Sequence, residues 1–427
     1  MFGIEDKLIV VIVFILVYLY LIFIEKYKSL IAWLGVGILT IFGLTNLNLI
    51  VHAIDWNVIG IFIGTLFLAE LFIYSRVPEL LANWLVERSK TIGAAILWVC
   101  VMSSFISAFI ENVATVLIIA PIAIELAKKL KTSPVPFIIG IAISSNLQGT
   151  ATLIGDPPSM ILAGYENMSF NDFFFFHGKP GIFFAVQLGA LVSFFILYSI
   201  FRKYKQGVIP LKPVKVISCI PTCMLVLMVS GLAISPIWDP NFSYLGGTIC
   251  FSLGVTGWIV HFIRHRQNGK NILKRLDYDT VLFLAAIFVM VYVLEHISII
   301  EDVKNFIMSL TGGNKYAAYA LIISFSVLFS AFICNIPYVT AMIPVVHRLG
   351  VELDGSPFFL VFGLLIGACL GGNITPIGAS ANIVGAGLLR KIEHPVKFLD
   401  FVKIGLPFTL AATLAGSLFL LIFWGLN

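Results

Sequence analysis

Ser144-Ser145-Asn146-Leu147-Gln148-Gly149-Thr150-Ala151-Thr152-Leu153-Ile154-Gly155-Asp156-Pro157-Pro158 lies between two apolar runs, residues 137–143 and 160–163. Gly149, Gly155 and the Pro157-Pro158 pair break a helical ladder, and Asp156 adds a charge. At membrane depth, non-helical backbone is tolerated only where it is buried in protein or lines a water-filled cavity. Broken helices are also how transporters present backbone dipoles and carbonyls to ions. The competing interpretation is a polar loop between two short spans. Against it stands the fact that the chain contains the stretch twice.

The second copy is Gly371-Gly372-Asn373-Ile374-Thr375-Pro376-Ile377-Gly378-Ala379-Ser380-Ala381-Asn382. Thr152-x-Ile154-Gly155 matches Thr375-x-Ile377-Gly378 at an offset of 223 (375 minus 152). At the same offset Ser107-Ala108-Phe109-Ile110-Glu111-Asn112 matches Ser330-Ala331-Phe332-Ile333-Cys334-Asn335, and Pro121, Ser133-Pro134 and Gly140 recur as Pro344, Ser356-Pro357 and Gly363. This is an internal duplication, the sequence mark of a transporter built from repeats.

Composition agrees. Of 427 residues 59% are hydrophobic and 11% charged, where a soluble protein carries about 25% charge. The chain reads as a polytopic integral membrane protein in contact with a lipid bilayer. Its net charge of +5 resides in short loops rather than on one face, so no nucleic-acid partner is expected. All six cysteines sit in apolar stretches and read as core packing, with no disulfide framework. Cys219 and Cys223 lie one helical turn apart, but no His or acidic residue nearby completes a metal set. No histidine pair has metal or catalytic spacing, and no nucleophile motif or phosphate loop occurs, so the chain does not read as an enzyme.

Runs long enough to span, at about 20 residues each, cover 8–24, 30–51 and 58–74. An interfacial helix fits 77–88. Two arms, 92–110 and 113–126, join at Glu111-Asn112; the broken helix covers 136–165 and another span 181–201. The second half repeats this with spans 214–234, 245–263 and 281–294, an interfacial piece 300–310, arms 316–333 and 336–346, a broken helix 357–389 and a last span 404–423. The expected fold is all-α: two repeats, 1–201 and 202–427, each with five crossings (one a broken helix) plus a hairpin. An odd number of crossings inverts the second repeat. The first apolar run has no small-residue cleavage site and is expected to be retained.

Loops assigned to the cytoplasm, including Lys26, Lys128, Lys129, Lys131 and Lys212, hold 22 of the 27 Lys and Arg residues. Only Lys7, Lys179, Lys304, Lys315 and Arg348 fall outside. By the positive-inside rule both termini are extracytoplasmic, in what is expected to be the cell membrane.

Ser107-Ala108-Phe109-Ile110-Glu111-Asn112-Val113-Ala114-Thr115, Gly149-Thr150-Ala151-Thr152-Leu153-Ile154-Gly155-Asp156-Pro157-Pro158 and Gly378-Ala379-Ser380-Ala381-Asn382 resemble the ion transporter superfamily. The nearest branch is that of the arsenite permeases, NhaD-type sodium–proton antiporters and the pink-eyed dilution protein; sodium-coupled dicarboxylate transporters are more distantly similar. The resemblance covers essentially the whole chain. It implies a scaffold, here 8–75 and 214–297, and a mobile transport domain, here 92–165 and 316–389, with two re-entrant hairpins and two broken helices. It further implies a homodimer working by an elevator motion, with hairpin tips and helix breaks holding substrate and coupling ions near the midplane. In the nearest branch an Asp usually precedes each tip Asn; here Glu111 and the uncharged Cys334 take those places.

By motif match the candidate site comprises Ser107, Glu111, Asn112, Thr115, Asn146, Gly149, Thr150, Thr152, Gly155 and Asp156 from the first repeat. The second contributes Ser330, Asn335, Gly372, Asn373, Thr375, Gly378, Ser380 and Asn382. Hydroxyl, amide and carboxylate oxygens suit Na⁺, with Glu111, Asn112, Thr150 and Asp156 as its ligands. Glu111, costly to bury, is a functional candidate, or else a cap on the following arm. Asp156 has the same two readings, since Asp-Pro-Pro also starts helices. Glu70 and Glu295 are expected to tie the scaffold to the interfacial helices.

The expected function is secondary active transport of a small inorganic or organic ion. Coupling is to Na⁺ or H⁺, with no other cofactor. Alternatives are Na⁺/H⁺ exchange without an anion, arsenite efflux, and an ion channel.

Overall fold

Helix starts recur with the duplication. The Thr91 hydroxyl accepts from the Ala94 amide at 3.2 Å. Asn314, 223 residues on (314 minus 91), accepts from the Tyr316 and Ala317 amides at 2.9 and 3.1 Å. Such caps satisfy amides that a helix leaves unpaired, which in lipid would be costly. The computed structural model describes residues 4–23, 27–129, 131–208, 213–264 and 266–426. Ile24, Lys26, Leu130 and Lys212, which belong to expected spans and loops, lie outside the described residues.

The first repeat runs α1 (Ile4–Phe23), α2 (Lys28–Ile41), α3 (Leu47–Ala53), α4 (Trp56–Ser75), α5 (Val77–Glu87), α6 (Ile92–Ser107), α7 (Asn112–Lys129), α8 (Val135–Gly149), α9 (Pro157–Glu166) and α10 (Ile182–Phe201). The second runs α11 (Ile220–Ile234), α12 (Leu245–Arg264), α13 (Arg266–Arg275), α14 (Tyr278–His296), α15 (Ile299–Thr311), α16 (Lys315–Ser330), α17 (Asn335–Asp354), α18 (Phe358–Gly371), α19 (Ser380–Lys391) and α20 (Phe398–Leu420). Shifted by 223, α6 becomes α16 residue for residue. A two-residue hairpin, Phe175–Phe176 with Lys179–Pro180, is the one strand pairing among the described residues.

The fold is all-helical. Six helical segments are long and apolar enough to cross a membrane: Trp56–Ser75, Ile182–Phe201, Ile220–Ile237, Leu245–Arg264, Tyr278–His296 and Phe398–Gly425. The broken helices qualify only as pairs. The 15 residues of α8 and 10 of α9 give about 22 Å and 15 Å of helix, together more than a hydrocarbon core of about 30 Å.

Packing crosses between the repeats. α4 lies against α12, and their counterparts α14 and α2 lie against each other. Glycines permit the close approach: a Cβ on Gly64 would sit 2.2 Å from the Cys250 carbonyl oxygen, the small-residue packing of membrane helices. The buried Asn57 side chain locks this seam, donating to the Phe242 carbonyl (2.7 Å) and accepting from the Gly247 amide (2.6 Å). A second group interleaves α6–α9 with α16–α19, α19 packing on α7 and α8 and α17 on α9. α10 packs along α20, its own counterpart.

Three expectations need correction. Residues 30–51 are not one span: α2 ends at Ile41, Gly43 takes φ +73°, and Asn46 caps the separate α3 through the Leu49 amide. The expected span at 214 begins as helix only at Ile220. Cys219 and Cys223 are exposed rather than core; Cys100, Cys250 and Cys369 are buried. Apolar neighbours in sequence say that a thiol is in the membrane, not which face of its helix it occupies.

Candidate functional site

The two breaks are built alike. A Cβ on Gly155 would lie 2.5 Å from the Gly149 carbonyl oxygen and 2.8 Å from that of Ser107. On Gly378 it would lie 2.5 Å from the Gly372 oxygen and 2.8 Å from that of Ser330. Each break thus folds back on itself and against the end of its hairpin arm, leaving no room for a side chain. The Thr152 hydroxyl donates to the Ala108 carbonyl, and the Thr375 hydroxyl to that of Ala331. These carbonyls end α6 and α16 and have no helical partner. The two threonines therefore fasten tips to breaks, a commitment that motif matching does not reveal.

Between the fastened elements runs a chain of amides. Asn112 at the first tip donates to the Asn146 side-chain oxygen (2.9 Å). Asn146 donates in turn to the Cys369 carbonyl (2.8 Å) and the Asn373 side-chain oxygen (3.1 Å). At the second tip Asn335 donates to the Asp156 carboxylate (3.1 Å). Both tips thus meet the first break, and the first break meets the second. Asp156 occupies the start of α9 but makes no side-chain cap: Pro157 and Pro158 have no N–H to offer, and the Ser159 amide bonds the Asp156 backbone carbonyl (3.0 Å) instead. Asn382 does brace its own break, donating to the Gly372 and Thr375 carbonyls at 2.9 Å each. Ser145, unmarked by the duplication because residue 368 is Ala, joins the Ser107 hydroxyl (3.0 Å) to the Asn112 carbonyl (3.1 Å).

Among the described residues, four fully buried side-chain atoms at the breaks and the end of α16 have no oxygen or nitrogen hydrogen-bond partner: Thr150 Oγ1 (beside the Cys369 thiol), Ser330 Oγ, Asn373 Nδ2 and Asn382 Oδ1; others, such as the Thr409 and Thr413 hydroxyls of α20, lie elsewhere. Most buried polar atoms are bonded, and an exception calls for an ion, water or ligand. A 650 Å³ cavity lies beside this cluster rather than in it, walled by Phe105, Phe109, Phe183 and Phe194 between α6, α8 and α10. Its walls offer little to an ion, so the orphaned atoms mark the candidate site better.

Not every expected residue points there. Thr115 bonds the Glu111 carbonyl of its own helix (3.2 Å), and Ser380 only opens α19. The Glu111 carboxylate has no hydrogen-bond partner among the described residues and stands in the field of Asp277, Asp156, Lys28 and Glu70. Lys28 and Asp277 escaped sequence reading because they begin helices, where charged residues usually face water. Glu70 faces Arg275 and Glu111. Glu295 accepts from the Tyr165 hydroxyl (3.0 Å) and lies 3.8 Å from Arg348. Neither glutamate ties directly to an interfacial helix as expected; Glu295 reaches α15 only through Arg348, which lies 3.7 Å from Glu301. Glu70 lies five residues before the end of α4 and Glu295 at the penultimate position of α14; they face the first tip and α9 instead. Among the described residues no group of three or more His, Cys, Asp or Glu side chains could hold a metal.

The model of the CitMHS citrate-transporter family matches residues 18–361 and 305–426. The chain belongs to the CitMHS family. Among relatives, an uncharacterized transporter of Mycobacterium tuberculosis is 30% identical over 379 residues, 86% of each chain. The P protein of Mus musculus is 27% identical over 494 residues, covering 95% of this chain and 59% of that one. The YdaH transporter of Alcanivorax borkumensis superposes with a TM-score of 0.61 at 16% identity, over 88% of this chain and 87% of the other. MtrF of Neisseria gonorrhoeae gives 0.53 at 16% identity, over 89% and 83%. At that identity both speak for the fold alone. A CitMHS member with six such helical segments is a membrane transporter protein by family.

Proposed function

We propose that this CitMHS member is a secondary active transporter that carries a small anion, a carboxylate such as citrate being the first candidate, coupled to Na⁺ or H⁺. The observation that carries the reading is the set of four buried polar atoms at the two breaks and the end of α16 that lack an oxygen or nitrogen partner. Two hydroxyls and one amide N–H can donate to an anion, while hydroxyl and amide oxygens can coordinate Na⁺. The Asp156 carboxylate beside Asn335 makes a cation an intelligible companion, and Glu111 provides a second acid on the same repeat. Anion recognition needs no Arg where helix N-termini and polar side chains converge.

The transport domain of this reading is residues 92–165 and 316–389, moving against a scaffold of 8–75 and 214–297, in an elevator arrangement and as a homodimer in the cell membrane. The test is uptake of labelled citrate by proteoliposomes, with Na⁺ and pH gradients imposed separately. Accumulation that follows one imposed gradient is expected. Flux that ignores every opposing gradient would mean a channel. Cation exchange with no anion taken from a panel of carboxylates, phosphate and arsenite would mean Na⁺/H⁺ antiport; efflux of arsenite alone would replace the carboxylate.

A further inference from the structure

A second cavity, 560 Å³ in volume, lies at the ends of α8 and α19 opposite the breaks, where the α7–α8 connection meets the residues after α19. Its lips carry Lys128, Lys131, Thr132 and Ser133 on one side, and Lys391 and His394 on the other. Lys128, Lys131 and Lys391 make no ion pair among the described residues. A single carboxylate, Glu393, shares the rim. The size is that of small-molecule sites, about 300–1,000 Å³. The lips are held in shape: Lys131 and Glu393 take left-handed backbone, φ 50° and 62°. The amides of Thr132 and His394 bond back to Ala127 (3.1 Å) and Leu389 (2.9 Å).

The duplication supplies an internal control. The position equivalent to Lys131 is Asp354 (354 minus 131 is 223), and Asp354 is paired with Lys315 at 2.8 Å. Lys128 corresponds to Val351. The same turn therefore folds in the second repeat with no basic cleft. The cluster is a property of this one copy, on the face that the Lys and Arg distribution assigns to the cytoplasm.

We propose that this cleft binds a phosphate-bearing anion, with Lys128, Lys131 and Lys391 as its charges and Thr132, Ser133 and His394 as hydrogen-bonding groups. Lysine serves phosphate as a point charge, and basic pockets between membrane helices on the cytoplasmic side suit phospholipid headgroups. The same chemistry would take a soluble phosphate. Binding here joins a connection of the first repeat to one of the second, and is independent of what the central site carries.

The experiment is thermal unfolding of the full-length protein in detergent. The probes are short-chain phosphatidylglycerol, short-chain phosphatidylcholine and inorganic phosphate. The proteins are wild type, Lys131→Gln/Lys391→Gln and the control Lys90→Gln. Phosphatidylglycerol is expected to stabilise wild type and Lys90→Gln alike. The double variant, unfolding at the wild-type temperature without probe, should need about tenfold more or beyond. Inorganic phosphate acting in the same variant-sensitive way would support the site with a soluble ligand. Equal shifts in the double variant, equal loss in Lys90→Gln, a phosphatidylcholine shift as large as that of phosphatidylglycerol, or no shift with any probe would overturn the proposal. If the double variant does not fold, Lys128→Gln alone carries the comparison, with a smaller displacement in the same direction.

Discussion

Asn146 donates a 2.8 Å hydrogen bond to the backbone carbonyl of Cys369, the residue that occupies its own position in the other repeat (369 minus 146 is 223). Two residues related by an approximate twofold can touch only beside the axis, so the helix breaks meet where the repeats do. The bond is also asymmetric: the partner is Cys, and it contributes backbone rather than side chain. Replacing Asn146 by Leu strands the Cys369 carbonyl, the Asn112 amide and the Asn373 oxygen. At about 1–3 kcal/mol per stranded buried group, less than additive, a loss of about 3–5 kcal/mol is expected. Cys369→Ala keeps the carbonyl and should lose under about 1.5 kcal/mol. Chemical unfolding of both variants makes the comparison.

Thr152→Val and Thr375→Val each remove one hydroxyl that fastens a tip carbonyl. Matching destabilisations of about 1–3 kcal/mol are expected, with ligand affinity little changed because both hydroxyls are already committed. A large loss of affinity at normal stability would return the two threonines to the list of direct ligands.

Gly155→Ala and Gly378→Ala place a methyl against backbone oxygens 2.5 Å away, which no flexible side chain can relieve. Neither protein is expected to accumulate in a folded form. Gly387→Ala, on a helix with open space around it, should behave as wild type in the same size-exclusion assay.

Proton and Na⁺ are expected to compete at a carboxylate of the centre. A protonated carboxyl excludes Na⁺, so Na⁺ affinity should fall as pH falls through its titration. Glu111, unpaired at its tip, is the expected locus: Glu111→Gln flattens the pH dependence, and Asp156→Asn leaves it. The reverse pattern moves the proton to Asp156. Calorimetry at two pH values distinguishes them.

Tyr165 on α9 and Glu295 on α14 join the two helix groups across a 3.0 Å bond. If those groups slide past one another, bridging Tyr165→Cys and Glu295→Cys with a bifunctional methanethiosulfonate that spans the lost side chains, with Cys219 and Cys223 replaced by Ser, stops transport while ligand binding persists. Reductant should restore flux. Undiminished flux in the cross-linked protein would mean that this contact does not move.

The register of the fold is legible because a duplication marks homologous positions whatever their local propensity: the sequence alone pairs residues 92–107 with 315–330. The tip and break residues were legible for the same reason. What stayed hidden depends on orientation. Hydropathy did not reveal that Gly43 and Asn46 end one helix and begin another within an apolar run, nor that Cys219 faces outward. The charges around Glu111 and the partners of Glu295 come from helices distant in sequence, and a single chain without depth information does not say which ends meet. The roles of Thr152 and Thr375 were hidden differently, since a hydroxyl reads alike whether it serves a ligand or a carbonyl.

The seam between α4 and α12 has a consequence for how the protein is made. The Asn57 oxygen and the Gly247 amide that bonds it are 190 residues apart, and α2 waits longer for α14, Lys28 and Thr280 being 252 residues apart. During synthesis the first repeat therefore enters the bilayer with its glycine-lined faces uncovered, and only the second repeat covers them. A chain interrupted between the repeats would leave a half-protein that inserts but cannot close, a target for membrane quality control. Two halves expressed as separate polypeptides in one cell, divided just after α10, should rescue each other, because the seam is made by helices of the two halves and Ile217, whose amide bonds the Ser75 carbonyl at the end of α4 (3.0 Å), stays with the second half.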